Sequence, residues 1–275
     1  MGKPAIGIVG YGYVGKNLHR LFGDDATTLD VGATDEDRSR INACDFAFVC
    51  VPTPVGPGGR CDTSIVEECV GWIKARQIII RSTVCPGTTD RLRAETGKAI
   101  IFQPEYLGET VGHPLSDVAG QDFIVLGGPI EETSLVADLY ARYHHSSLRV
   151  HFTESRIAEL AKTMSNAFCA VKVTFCNEFY DIARAHGIDY NQLREVWLAD
   201  PRVSRDHTFV YPDNRGFSGK CLPKDLCSIV HSSRQHGFEA RLLEHVLDIN
   251  EGHRTGDETY PPYTRREREK AAEVT

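Results

Sequence analysis

The short apolar run AIGIV at 5–9 ends in Gly10-Tyr11-Gly12-Tyr13-Val14-Gly15, and the following residues place Val14, Leu18 and Leu21 or Phe22 at helical spacing. A strand, a glycine turn and a helix in that rhythm leave few folds open. Gly10 is needed for the tight turn, Gly12 leaves the backbone bare for close approach of a pyrophosphate, and Gly15 lets helix pack on strand. The helix N-terminus, with Tyr13 and Val14 in its first turn, then turns free N–H groups toward the phosphates. Asp30 closes a second run, ATTLD, twenty positions after Gly10. A carboxylate there accepts the ribose hydroxyls and favours NAD over NADP.

Further strands are expected at FAFVCV (46–51), QIIIRS (77–82), KAIIF (98–102) and DFIVLGG (122–128), with helical stretches between several of them, such as IVEECVGWIKA at 65–75. Strand alternating with helix predicts a parallel sheet covered on both faces, an α/β domain of Rossmann type over residues 1–152. Ligands of such sheets bind at the carboxyl ends of the strands. Three unusual segments start there: Val51-Pro52-Thr53-Pro54, Ser82-Thr83-Val84-Cys85-Pro86-Gly87-Thr88, and Gln103-Pro104-Glu105-Tyr106-Leu107-Gly108-Glu109.

From about 153 to 185 the chain lacks Gly and Pro, begins with the cap-like Thr153-Glu154-Ser155 and stops before Gly187. One helix of that length would run about 50 Å. At 100° per residue, Ile157, Leu160, Ala161, Met164, Phe168, Val171, Phe175, Phe179 and Ile182 share one direction, which predicts a buried face. Lys162, Asn166, Ala170, Val173 and Asn177 lie opposite, without the Glu/Lys mixture of a solvated face, so burial is expected on both sides. Lys162 and Asn166, at i and i+4, would project together toward something polar. With the amphipathic stretch 238–253 this makes an all-helical second domain over 153–253, followed by a charged tail over 254–275.

A formal charge of −7 gives no general attraction to nucleic acid or anionic lipid, which leaves a small-molecule partner. No stretch approaches the roughly 18–20 apolar residues of a membrane span, and the apolar N-terminal run is too short for a signal-peptide core, so a cytoplasmic location is expected. Nine cysteines, an odd number with no CxxC pair and no Cys/His cluster at zinc spacing, predict reduced thiols and no structural metal. One of them is unusually placed. In GFSGKCLPKD (216–225) Cys221 sits between a glycine-rich stretch and a Lys-Asp pair, whereas a thiol used for packing is normally flanked by apolar residues.

In this order, GxGxxG, VPTP, STVxPGT, PExLxE, the Lys162-x3-Asn166 pair and GFxGxCLPKD, the chain resembles the nucleotide-sugar 6-dehydrogenases, the UDP-glucose dehydrogenase family, over about residues 3–250. The resemblance implies oxidation of a primary alcohol to a carboxylate in two hydride transfers to NAD, by a homodimer formed through the helical region. Residue by residue, Cys221 matches the nucleophile and Lys162 and Asn166 match the groups that steady oxyanion character. Asp225 and Thr83 match a pair that positions lysine and water. Glu105 matches the acid of thioester hydrolysis, and Glu109 a second acid in the same loop. The resemblance further assigns Gly10, Gly12, Tyr13, Val14, Gly15, Asp30, Val51, Pro52, Thr53, Ser82, Thr83 and Glu109 to the cofactor. It assigns Glu105, Tyr106, Leu107, Lys162, Asn166, Phe217, Ser218, Gly219 and Cys221 to the substrate.

The residue types suit that chemistry. A thiolate attacks an aldehyde to give a thiohemiacetal, oxidation gives a thioester, and water releases the acid. At a pKa of about 8.5 only a few per cent of a thiol is ionised at neutral pH, unless a cation such as Lys220, Lys224 or Lys162 lowers that value.

Departures from the family bear on the substrate. A third α/β domain that binds much of the nucleotide is expected to be missing, and the connection from Asp30 to the strand at 46 is shorter than usual. Gln103 stands for the usual asparagine, Thr110 for a common glycine, and Ser218 for a glycine in the thiol loop. Two alternatives follow: a one-step NAD-dependent alcohol dehydrogenase acting on a smaller or nucleoside substrate, and a non-catalytic NAD- or nucleotide-binding protein.

Overall fold

The computed structural model describes residues 3–30, 32–108, 118 and 120–254. Glu109 and Thr110, with the tail beyond Arg254, lie outside the described residues. The chain divides into two compact units, Met1–Pro54 with Asp62–Lys162, and Val55–Cys61 with Thr163–Thr275.

The first unit is built on a seven-stranded sheet in the order β2-β1-β3-β4-β5-β6-β7. Its strands are β1 (Ile6–Val9), β2 (Ala26–Leu29), β3 (Phe46–Val49), β4 (Gln77–Ile80), β5 (Ile100–Phe102), β6 (Phe123–Gly127) and β7 (Arg149–Thr153). The first five are parallel, as expected from their alternation with helices α1 (Tyr13–Phe22), α2 (Asp35–Asn42), α3 (Ser64–Trp72) and α4 (Thr88–Thr96). Strand β6 runs antiparallel to β5, and β7 pairs parallel to β6 after α5 (Ile130–Tyr143). The sheet is therefore only mostly parallel. Strand β7 escapes the sequence reading because its residues are exposed or half-buried, so they lack the apolar run of a central strand.

Two apolar layers cover the sheet. Val9, Val49, Ile78, Ile80 and Phe102 pack on one side with Ile41, Val70 and Leu92, and Ile8, Phe48, Ile79 and Ile101 pack on the other with Leu18, Phe22 and Tyr140. The switch in strand order lies between β2 and β3, on either side of β1, and opens the crevice expected at the carboxyl end of β1.

Helix α6 (Ser155–Ala185) is one element of 31 residues, close to the expected length, and α7 (Tyr190–Trp197), α8 (Leu222–Gln235) and α9 (Arg241–His253) follow. In the second unit Ala167, Ala170 and Val173 of α6 pack with Leu226 and Val230 of α8 and Val246 and Leu247 of α9. The Lys162 to Asn177 side of α6 is thus the buried one. The apolar side corrects the sequence expectation: Met164 is 73% exposed, Phe168 64%, and Ile157, Leu160, Phe175, Phe179 and Ile182 are exposed as well. The physical reason is that small residues allow close helix approach, so the alanine-rich side meets α8 and α9. The bulkier side is left exposed among the described residues.

Candidate active site

At the carboxyl edge of the sheet the glycine turn is fixed by main-chain sterics. Gly10 has φ +96°, and a Cβ there would stand 2.6 Å from the Cys50 carbonyl oxygen. A Cβ on Gly15 would stand 2.0 Å from the Gly10 carbonyl oxygen. A Cβ on Gly12 would meet nothing within 4 Å. Gly12 is the N-cap of α1, whose first turn contains no acidic residue, so its positive end is not neutralised from within the turn. A dinucleotide pyrophosphate fits those three features. Asp30, exposed, follows the last residue of β2, and the Gly10 N–H donates to the Leu29 carbonyl (2.8 Å), which sets the acid beside the turn.

The neighbouring strand ends are stitched together. Ser82 Oγ donates to the Val51 carbonyl (2.7 Å), and Thr53 Oγ1 donates to the Thr83 carbonyl (2.8 Å). Pro52 between them is exposed, and Val14 is half-buried in the first turn of α1. Tyr13 OH reaches across to the Gly108 carbonyl (2.7 Å), tying α1 to the loop that follows β5.

In that loop Glu105 is buried and heavily engaged. Its Oε1 accepts the Tyr106 and Leu107 N–H groups, both at 2.7 Å, and its Oε2 pairs with the buried guanidinium of Arg81. Arg81 also donates to Tyr140 OH (3.4 Å), which donates to Gln103 Oε1 (3.1 Å). Burial pushes the nearby Cys50 thiol up to about 12, so it stays protonated. Lys162, 9% exposed, places Nζ 5.2 Å from the centre of the Tyr106 ring, which itself lies 5.3 Å from the ring of Phe123.

In the second unit Cys221 is exposed and is the N-cap of α8, with its carbonyl accepting the Asp225 N–H (2.9 Å). A helix N-terminus favours a thiolate. Asp225, 2% exposed, uses both carboxylate oxygens, pairing with Lys224 through Oδ1 and accepting Asn166 Nδ2 at 2.5 Å through Oδ2. Burial alone would push the Lys224 ammonium down, but Asp225, then Cys61, and to a lesser degree Cys221, hold it up. The lysine therefore stays charged beside the thiol. Gly219 is exposed at φ +82° with open space around it, and Ser218 is half-buried. Phe217 is placed differently from a ligand contact. Its ring is buried in the helical core, while its N–H and carbonyl both bond the Asn250 amide, at 2.7 and 2.9 Å.

Two residues that the sequence reading passed over support these groups. Arg81 ends an otherwise apolar strand run, and a charge there requires a buried partner, which is Glu105. Glu159 stands three residues before Lys162. It accepts the Gly87 N–H (2.5 Å), the Thr89 N–H (2.9 Å) and Thr89 Oγ1 (2.7 Å) at the start of α4.

A glycine turn after β1, an acid after β2 and a strand-order switch between them define a dinucleotide-binding protein of Rossmann type with a helical unit attached. The chain belongs to the UDP-glucose/GDP-mannose dehydrogenase family, matching its NAD binding domain over residues 16–144 and its central domain over residues 156–252. A UDP-glucose 6-dehydrogenase of Rhizobium meliloti (strain 1021) is 29% identical over 252 residues, covering 85% of this chain and 56% of that protein. The chain spans about half the length of the curated relatives it matches. The structure of a UDP-glucose dehydrogenase from Pyrobaculum islandicum matches with a TM-score of 0.78 at 27% identity, covering 91% of this chain and 68% of that one. A 3-hydroxyisobutyrate dehydrogenase of Mycobacterium tuberculosis shares the fold, with a TM-score of 0.72 at 16% identity over 94% of this chain and 96% of that one. Among the described residues no helix is long and apolar enough to cross a membrane.

Proposed function

We propose that this chain oxidises a primary alcohol of a nucleotide-sugar-like substrate to the carboxylate in two NAD-dependent steps, with Cys221 as the nucleophile. The observation that carries the reading is the setting of Cys221: an exposed thiol at a helix N-terminus, next to a buried Lys224–Asp225 pair whose carboxylate is held by Asn166. Residues 1–152 serve as the NAD-binding domain and 153–253 as the catalytic and dimerisation domain. When bound, NAD supplies the hydride acceptor. Gly10, Gly12, Gly15, Tyr13 and Val14 cradle its pyrophosphate, Asp30 takes the ribose hydroxyls, and Val51, Pro52, Thr53, Ser82 and Thr83 line its nicotinamide side. Glu109 is assigned to the cofactor by resemblance alone.

The first oxidation gives an aldehyde, which the Cys221 thiolate attacks to form a thiohemiacetal. A second oxidation gives the thioester, and water attacks it to release the acid and return the thiol. Lys162 and Asn166 donate to the oxyanions; one well-aimed donor is typically worth about 3–4 kcal/mol of barrier. Asp225 and Thr83 orient lysine and water. Glu105, paired with Arg81, fixes the turn that presents Tyr106 and Leu107 to the substrate and polarises the hydrolytic water. Ser218 and Gly219 border the sugar, with Phe217 anchoring their loop from the core.

The exposed apolar side of α6, from Ile157 to Ile182, supports a homodimer in which two copies cover each other there. A cytoplasmic enzyme is the matching location. Purified protein incubated with UDP-, GDP-, dTDP- and CDP-sugars is expected to form two NADH per acid released, and Cys221→Ser to lose acid formation by at least about 10³-fold. One NADH per turnover with Cys221 dispensable would instead establish a one-step alcohol dehydrogenase. Tight NAD binding without any hydride transfer would establish a binding protein.

A further inference from the structure

The loop that carries Cys221 is clamped before it reaches the thiol. Asn177 of α6, 1% exposed, donates Nδ2 to the Val173 carbonyl (2.9 Å), which fixes the direction of its amide. Its Oδ1 then accepts from two successive loop residues, Arg215 Nε at 2.6 Å and the Gly216 N–H at 3.2 Å. Arg215 spends the rest of its fork on the same stretch of helix. Its Nη2 donates to the Asn177 carbonyl (2.9 Å) and to Asp181 Oδ2 (2.8 Å), and its Nη1 donates to Asp181 Oδ1 (3.1 Å). The guanidinium also lies over the Tyr180 ring, 4.6 Å from its centre. The hydrogen bond from Arg215 holds the Asp181 carboxyl below its ordinary value.

From α9 the fully buried Asn250 grips the next residue, accepting the Phe217 N–H and donating to the Phe217 carbonyl. Gly216 is caught between the two asparagines. It has φ +75°, and a Cβ there would stand 2.3 Å from Asn250 Oδ1. Only Ser218, Gly219 and Lys220 separate this clamp from Cys221, the N-cap of α8, and α8 is itself anchored by Leu226 and Val230 in the helical core. So short a connection between two fixed ends leaves little slack, and the path by which the chain enters the cap sets the direction of the thiol. The planar guanidinium suits this task because it can hold a carboxylate with two donors and a carbonyl with the others, which an ammonium cannot match in geometry.

We propose that Arg215 is a positioning residue for the oxidation: its guanidinium, spread over Asn177 and Asp181, fixes the incoming loop so that the Cys221 thiol leaves the α8 N-terminus in one direction. The role rests on the reading of Cys221 as the nucleophile. It acts through Gly216 and Phe217, without contact to substrate or cofactor, and a misplacement of about 1 Å at a reacting group can cost on the order of 10²-fold in rate.

The test compares the full chain with Arg215→Lys, which keeps the charge and loses the fork, and with Arg215→Ala. Expected are a kcat lowered at least about tenfold in both, and an NAD affinity by calorimetric titration within about twofold of the parent. Amide hydrogen exchange at Gly216 and Phe217 should be at least about tenfold faster in Arg215→Ala, with the Leu226–Val230 amides of α8 at parental rates. Guanidinium added below denaturing concentration should restore part of kcat to Arg215→Ala and none to Arg215→Lys, whose side chain fills the place. Parental kcat in Arg215→Lys, with Cys221→Ser inactive, would overturn this role alone. Unchanged exchange at Gly216 and Phe217 in folded Arg215→Ala would overturn it too, and faster exchange along the whole of α8 would reduce Arg215 to a stabiliser of the helical unit. Turnover in the parent that does not depend on Cys221 would overturn the oxidation reading and this role with it.

Discussion

Helices α1 and α4 both begin after a glycine at the same edge of the same sheet, yet their N-termini are used in opposite ways. Gly12 precedes α1, no acid stands in the first turn, and the space beside Gly12 is open. Gly87 precedes α4, and there Glu159 accepts both the Gly87 and Thr89 N–H groups. One helix end is kept for a ligand's phosphates, and the other is filled by the protein's own carboxylate. A glycine before a helix is therefore not by itself a phosphate site; what decides it is whether the fold delivers an internal acceptor for the free N–H groups.

The largest expected effect comes from Gly15→Ala. Its methyl would stand 2.0 Å from the Gly10 carbonyl oxygen and 3.3 Å from Ile8 Cγ2, so α1 has to move off β1. A cost of about 3 kcal/mol or more, a fall in Tm of roughly 6–12 °C, is expected by calorimetry. A Tm within a degree of the parent would mean that the turn is not held by this packing.

Next is the pH response of the filled helix end. Burial pushes the Glu159 carboxyl up from 4.5 to about 7, against the hydrogen bonds from Thr89 and Gly87 that pull it down. The folded state then holds this proton more tightly than the unfolded chain. The group's contribution is full below pH 4.5 and is lost as pH rises through about 7. Urea titrations at several pH values should show stability falling over that window by up to about 3 kcal/mol more in the parent than in Glu159→Gln. The opposite slope would show that the three donors win and that the carboxylate is ionised throughout.

The sequence made one of these two helix ends legible and hid the other. Gly10, Gly12 and Gly15 lie within six residues, so one local pattern carries their meaning, and strands β1, β3, β4 and β5 declare themselves as short, largely apolar runs. Glu159 meets Thr89 across 70 residues, Asn166 meets Asp225 across 59, and Arg81 meets Glu105 across 24. Such pairs exist only once the chain is folded. The apolar side of α6 failed for a related reason: periodicity reveals that Met164 and Phe168 share a face, but the covering of that face depends on what else is present. Cys221 was visible because its neighbours are polar.

Gly12→Ala separates ligand binding from folding at the open helix end. With φ −76° at this residue and nothing within 4 Å of its Cβ position, an alanine fits without strain. Tm should be unchanged, while NAD affinity measured by calorimetric titration falls at least about tenfold, or 1.4 kcal/mol, because the methyl occupies the approach of the pyrophosphate. Unaltered affinity would place the phosphates somewhere other than the α1 N-terminus.

The smallest effect belongs to Gly87→Ala, the matching substitution at the filled end. Gly87 has φ +94°, where a side chain is strained, but among the described residues its Cβ would meet only Arg156 Nε, at 3.8 Å, an ordinary contact. The cost is the left-handed backbone alone, about 1 kcal/mol, read as a small shift in the urea midpoint. NAD affinity should stay at the parental value, since the N–H groups of this helix end already donate to Glu159. A loss of NAD affinity comparable to that of Gly12→Ala would mean that the α4 N-terminus also serves the ligand, and the contrast between the two helix ends would collapse.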